Sequence, residues 1–231
     1  MNNTFENRDC IEGMKECPDG HFDLAIVDPE YGINASKKHK YHRNAMTKYK
    51  PKNWDTKIPS KKYFKELFRV SKEQIIWGGN YFVKHLIPAK NWIVWDKKQP
   101  NGVSFSMHEL AFYSGAGQAK IFSQLHCGNR VSNSPDKAQK YLKIHPTQKP
   151  VALYLWLLNN YAKPGDLILD THVGSASSLI ACEKLGFNYV GYELDKDYYK
   201  AACDRLNEFR LQVDMFIDKP EPVVEQEKLE L

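Results

Sequence analysis

The chain contains no CxxC pair, no GxGxxG run and no apolar stretch near the ~18 residues that a bilayer crossing needs. Each absence narrows the reading. The five cysteines, Cys10, Cys17, Cys127, Cys182 and Cys203, are odd in number and scattered. Neither a disulfide framework nor a zinc site is expected, no metal is predicted, and a reducing cytosol fits. The start, MNNTFENRDC, has no apolar run, so no signal peptide is expected, and nothing predicts contact with a membrane. The missing GxGxxG argues against a dinucleotide cofactor. Charge of one sign is also scarce: the formal net charge is +5 over 231 residues.

That small charge is unevenly placed. Between Ile33 and Ile58, Lys37, Lys38, Lys40, Arg43, Lys48, Lys50, Lys52 and Lys57 stand against Asp55 alone, which puts the segment at +7 and the rest of the chain at −2. A basic loop of this kind reads as a polyanion contact or as a solvated loop. The tail from Gln212 is acidic. Apolar residues make up 42% of the chain, enough for the core of one domain over 1–211, with 212–231 as a tail. Aromatics at 13% suit stacking on rings and a plain core equally.

Short apolar runs alternate with helical stripes. Phe22 to Val27, Gln74 to Trp77, Trp92 to Trp95, Glu109 to Tyr113, Leu167 to Asp170 and Asn188 to Tyr192 read as strands. Ser60 caps a helix carrying Tyr63, Phe64, Leu67 and Phe68 on one face. A short helix from Tyr81 to Ile87 is expected to stop at Pro88. Pro150 is expected at the first position of a helix over 151–161, with further helices over 175–185 and from Asp195 to about 211. The stretch 114–143 is polar, with weak strand signals only near Ala119 to Phe122, and reads as a small irregular insert. This alternation predicts an α/β fold with a doubly wound, mostly parallel sheet, whose ligands bind beyond the carboxyl ends of the strands.

Three motifs stand at such positions. In Asp170-Thr171-His172-Val173-Gly174-Ser175, an acid ends a strand, a glycine allows a tight turn and small residues open a helix. Glu193 ends the next strand, where a carboxylate can accept the hydroxyls of a ribose. Asp28-Pro29-Glu30-Tyr31 follows the strand at 22–27. His145-Pro146-Thr147-Gln148-Lys149-Pro150 precedes a helix, and nothing physical in it demands catalysis. Taken singly, each also reads as a structural turn.

In sequence, Asp9-Cys10, FDLAIVDPEYG (Phe22 to Gly32), WGGN (Trp77 to Asn80), WDK (Trp95 to Lys97), HELAFYS (His108 to Ser114), HPTQKP (His145 to Pro150) and LILDTHVGSAS through YVGYE resemble the amino-group DNA methyltransferases of the beta arrangement, in which the catalytic tetrapeptide precedes the cofactor half. The resemblance covers roughly residues 5–205, and HPTQKP is its most specific piece. It implies a Rossmann-like fold that binds S-adenosyl-L-methionine and transfers its methyl group to the exocyclic N6 of adenine in double-stranded DNA. The catalytic residues would be Asp28, Pro29 and Tyr31. Glu193 would hold the cofactor's ribose, and Asp9 and Cys10 its adenine edge. Asp170, Gly174 and Ser175 would frame its amino acid part, alongside Asp28, with Lys149 near its carboxylate. The base must leave the duplex. Tyr31 would stack on it, and the basic loop 33–58 would grip phosphates or close over the substrate, with Tyr41, Tyr49 and Trp54 available to contact bases. Arg130, Asn129, Asn133 and Gln139 in the insert would read base edges. The resemblance leaves a homodimer open, and it suits a bacterial or phage-encoded enzyme in the cytoplasm.

Two departures stand out. Glu30 occupies the place of a second proline, with three open consequences: slower transfer, a shifted substrate, or a side chain turned away. Thr171-His172 replaces Pro-Phe and Ala176 a glycine, so His172 reads either as a stacking ring or as a structural histidine. Two other functions remain to be weighed: a cytosine-N4 enzyme, against which Asp28 rather than serine speaks, and a nucleic-acid-binding protein on this fold.

Overall fold

The computed structural model describes residues 3–35, 52–88, 91–102, 106–127, 130–132, 139–140 and 143–216. Tyr41, Tyr49, Asn129, Asn133, most of the basic loop and the acidic tail from 217 onward lie outside them.

Eleven strands and five helices alternate among these residues. In chain order they are β1 (Thr4–Glu6), α1 (Cys10–Lys15), β2 (Phe22–Val27), α2 (Lys61–Val70), β3 (Ser71–Trp77), β4 (Asn91–Asp96), β5 (His108–Tyr113), β6 (Lys120–Ser123), β7 (Leu125–Cys127), β8 (Arg130–Ser132), β9 (Gln139–Lys140), α3 (Val151–Tyr161), β10 (Leu167–Asp170), α4 (Ser177–Leu185), β11 (Asn188–Tyr192) and α5 (Lys196–Phe216). Eight strands form one sheet in the order β1-β11-β10-β2-β3-β5-β4-β6, with β5 antiparallel to both its neighbours. The expected doubly wound, mostly parallel sheet is therefore observed.

Strand parity explains the two layers. Leu24, Ile26, Ile75, Trp77 and Ile168 face a core shared with α3, α4 and α5. Ala25, Val27, Ile76, Leu167 and Leu169 face the other way, onto α1 and α2. In α2, Tyr63, Phe64, Leu67 and Val70 are buried on one face, and Ser60 accepts from the Tyr63 N–H as expected. Each such side chain contributes about 1.5–3 kcal/mol by leaving water.

Five local expectations need correction. No helix spans Tyr81–Ile87: Gly78 turns left-handed at φ 71°, and a 3-10 turn over Gly79–Tyr81 leads into turns before Pro88. The 114–143 insert is partly regular, since β6 joins the main sheet and β7, β8 and β9 pair into a small antiparallel one. Pro150 is the N-cap of α3, not its first helical residue, and α4 starts at Ser177 after a left-handed Ala176. α5 continues to Phe216. The sequence reading also omitted β1 and α1.

In the main sheet β2 and β10 are neighbours, and the chain winds away from them in both directions. This is the switch point at which open α/β sheets bind ligands. Asp28 and Asp170 stand at the carboxyl ends of these two strands.

Candidate active site

A cleft of about 1920 Å³ opens above the switch point. Asp9, Cys10, Asp28, Pro29, Tyr31, Lys149, Gly174, Ser175 and Glu193 all line it. Asp170 lies just beneath the wall, 2% exposed. The structure thus gathers every sequence-predicted site residue around one cavity, with Asp170 as a support.

The cavity has two halves. On one side, β1 and β11 bring Asp9 beside Glu193. The Arg8 N–H donates to the Glu193 carbonyl at 3.1 Å, and the Glu193 N–H donates to the Glu6 carbonyl at 3.0 Å. Asp9 caps α1, accepting from the N–H groups of Ile11 and Glu12. The Glu193 carboxylate accepts from the N–H of Gly174 and of Asp195, each at 2.9 Å. Each oxygen keeps a further lone pair for a ligand. Burial raises the Glu193 carboxyl above its usual range, and burial followed by Asp9 lifts the Cys10 thiol to about 12. Gly174 sits at φ 55°, and the His145 ring lies 3.7 Å from where its side chain would begin. His145 packs edge-on against Tyr198 at 4.3 Å and beside Trp54 at 5.2 Å, and burial lowers it to about 3, so it is neutral. Trp54 packs over this turn, with its indole N–H 3.4 Å from the Tyr198 hydroxyl.

Asp170 accepts from the His172 N–H at 3.0 Å and from the Ser178 hydroxyl at 2.5 Å. Burial nevertheless pushes its carboxyl up to about 6. Because the folded carboxyl binds its proton more tightly than the unfolded one, its stabilising contribution is full below about pH 4 and is lost as pH rises through 6. Asp170→Asn should therefore flatten the stability profile. It should remove a decline of about 3 kcal/mol between pH 4 and 7, read by urea unfolding at each pH.

On the other side lies an alternating chain of buried charge. The Lys149 ammonium is 2.5 Å from Asp28 and 3.2 Å from Glu109, and Lys97 also pairs with Glu109. Burial opposes the charge on Lys149, but Asp28 and Glu109 outweigh it and raise its pKa. Burial likewise works to raise Glu109, but Lys149 and then Lys97 bring it to about 2. The Tyr31 hydroxyl donates to Asp28 at 2.7 Å, and burial and then Asp28 hold Tyr31 well above the usual tyrosine range. One face of the Tyr31 ring is stacked by Tyr81 at 5.0 Å.

This arrangement gives HPTQKP a physical reading. His145 covers Gly174, Gln148 accepts from the Ile144 N–H at 2.9 Å, Lys149 pairs with Asp28, and Pro150 starts α3. Sequence reasoning quoted WDK and HELAFYS but gave Lys97 and Glu109 no role. WGGN is explained by space. A side chain on Gly78 would begin 2.2 Å from the Tyr31 ring, and its φ of 71° is costly for any other residue. Gly78→Ala should cost about 1–3 kcal/mol in a thermal melt and displace Tyr31.

Glu30 does not turn away. Its carboxylate lies 3.3 Å from His172 Nε2. His172 in turn packs edge-on against Tyr63 at 5.3 Å, so it is both a ring contact and a paired histidine. Among the described residues no group of three or more His, Cys, Asp or Glu could hold a metal ion, and no helix is long and apolar enough to cross a membrane.

Fold and site together define a doubly wound α/β protein with a two-sided cleft at its switch point. The model of the N6/N4 DNA methylase family matches residues 30–204, and the chain belongs to that family. It is 23% identical over 235 residues to the type II methyltransferase M.HpaI of Haemophilus parainfluenzae, covering 85% of this chain and 72% of that protein. It is 24% identical over 248 residues to the type II methyltransferase M.HinfI of Haemophilus influenzae, covering 90% and 69%. Among solved structures, the M1.HpyAVI complex with SAM aligns at a TM-score of 0.55 and 21% identity, over 88% of this chain and 98% of that one. The cytosine-N4-specific PvuII DNA methyltransferase aligns at 0.58 and 11% identity, over 92% and 93%. These structural likenesses show a shared fold.

Proposed function

We propose that the chain transfers the methyl group of S-adenosyl-L-methionine to the N6 amino group of an adenine flipped out of double-stranded DNA, in the cytoplasm of a bacterium or of a phage-infected host. The observation that carries this reading is the single cleft joining Asp28-Pro29-Glu30-Tyr31 to the turn of Gly174 and to Glu193. The cofactor half fits such a molecule by the chemistry of its donor set. Its wall is rich in acceptors, Asp9, Glu30 and Glu193, which suits a cationic ligand with several hydroxyls. Glu193 would hold the ribose, and Asp9 and Cys10 the adenine edge. Gly174, Ser175 and Asp170 would frame the amino acid part, with Lys149 close to its carboxylate. The bound cofactor supplies an electrophilic methyl on a positive sulfur.

The chain's own residues then position the amine. The N6 lone pair of adenine is delocalised into its ring. The Asp28 carboxylate and the Pro29 carbonyl accept its two N–H bonds, which favours a tetrahedral nitrogen and directs its lone pair toward the methyl. Lys149 pairs with Asp28, so this carboxylate acts as an acceptor and orienting group; as the N–C bond forms the carbon–sulfur bond breaks, and the surplus N6 proton is released to water in the open cleft. Tyr31, freed from Tyr81, stacks on the base, offsetting about 1–3 kcal/mol of lost stacking. The relative M.HpaI is a type II methyltransferase, and the tetrapeptide that opens on Asp28 resembles the adenine type rather than the cytosine one.

The test is incubation with methyl-labelled cofactor and unmethylated plasmid, followed by digestion to nucleosides and mass spectrometry. N6-methyladenosine is the expected product. Label in N4-methylcytosine, or none at all, would overturn the reading.

A further inference from the structure

Asp28 and Pro29 must present two acceptors at once, and the direction of the Pro29 carbonyl is fixed by the peptide plane it shares with Glu30. That plane can rotate at Glu30, because glutamate, unlike proline, has a free φ. Gly32, two residues on, is left-handed at φ 72° and adds no stiffness of its own. Something outside the tetrapeptide has to hold it. The Glu30 carboxylate meets His172 Nε2, on the turn after the neighbouring strand β10, at 3.3 Å. His172 Nδ1 meets the Thr171 hydroxyl at 2.9 Å, and Thr171 meets the hydroxyl of the buried Tyr63 in α2 at 2.7 Å. The His172 backbone N–H is held by Asp170.

We propose that Glu30 and His172 form a positioning pair that ties the Pro29 carbonyl to the turn after β10, so that the methyl-accepting and cofactor-holding halves of the cleft are set against each other. The inference rests on the functional reading above.

The local charges support the tie. His172 faces Glu30 from the loop after β2, Asp170 at the end of β10, Glu193 at the end of β11 and Tyr63 from α2, while Cys10 of α1 lies beside Glu30 and Tyr63. Burial works against the charged imidazole, but Glu30 outweighs it and lifts His172 above its usual range. Burial works to raise Glu30, but His172 outweighs it and holds it below its own. The pair is complete while His172 is protonated and is lost as pH rises through the raised histidine pKa. It is also lost on the acid side as Glu30 protonates.

The test compares the wild type, Glu30→Gln, His172→Phe and the double variant Glu30→Pro with His172→Phe. Histidine ring NMR follows the His172 titration, and labelled-methyl transfer to plasmid gives kcat. Glu30→Gln should make His172 titrate at lower pH than in the wild type. Each single variant should lower kcat about tenfold, and the double variant should recover to within about threefold of the wild type, because the proline ring fixes φ without the tie. An unchanged His172 titration in Glu30→Gln, or a double variant no more active than His172→Phe alone, overturns the pair. If the wild type transfers no methyl to DNA, the functional reading fails, and the NMR comparison alone decides whether the tie exists.

Discussion

Asp28→Ala is expected to reduce methyl incorporation into plasmid DNA by about 10²–10³-fold or more, the scale of losing one preorganised polar partner of a reacting group. Asp28 offers the only carboxylate of the tetrapeptide aligned with Tyr31 and Lys149, through contacts of 2.7 and 2.5 Å. The variant should still fold, because Lys149 keeps Glu109 as a partner at 3.2 Å. A thermal melt run beside the activity assay separates lost chemistry from lost structure. If Asp28→Ala labels DNA at the wild-type rate, the acceptor has been misassigned.

Lys149→Met is expected to have the largest effect on stability. The ammonium is 4% exposed and stands between two carboxylates. Removing it strips Asp28 of its cationic partner while Glu109 keeps Lys97, and breaking a largely buried pair from one side costs up to about 3–5 kcal/mol. For a domain of this size that is a fall in melting temperature of about 10 °C. Adding Glu109→Gln should recover part of the loss by removing one of the two carboxylates that Lys149 bridges. The wild type should also weaken in acid: Glu109, held at about 2, contributes stability that is full above its unfolded pKa and is lost as pH falls toward 2. Calorimetry across pH 2–7 on wild type and Glu109→Gln reads this directly, and equal slopes would refute it.

Much of this architecture can be read from local sequence. The apolar runs at β2, β3 and β10 and the stripe Tyr63, Phe64, Leu67 of α2 carry their own periodicity, so elements and layers followed from pattern alone. The short pieces did not. β1 has three residues and β9 two, and they exist because a neighbouring strand edge accepts them, an influence outside any sequence window. The 81–87 stretch has helical composition, but the left-handed Gly78, wedged against Tyr31, sends the chain into a 3-10 turn. The same limit applies to the site. Asp28, Asp170 and Glu193 announce themselves by standing at strand ends. Lys149 lies 121 positions from Asp28 along the chain, and only the packing of α3 against the sheet brings its ammonium there. Glu30 and His172 were visible as two separate departures from a pattern, and folding made them one contact. Trp54 packs beside His145, a contact that its place in a basic loop did not announce.

The most direct measurement is a crystal structure of the chain with S-adenosyl-L-methionine bound. The expected result is a ribose on Glu193 and a transferable methyl pointing into the half of the cleft where Asp28 and the Pro29 carbonyl face Tyr31. A methyl directed away from Asp28, or a cofactor excluded by the Glu30–His172 contact, would contradict the proposed chemistry.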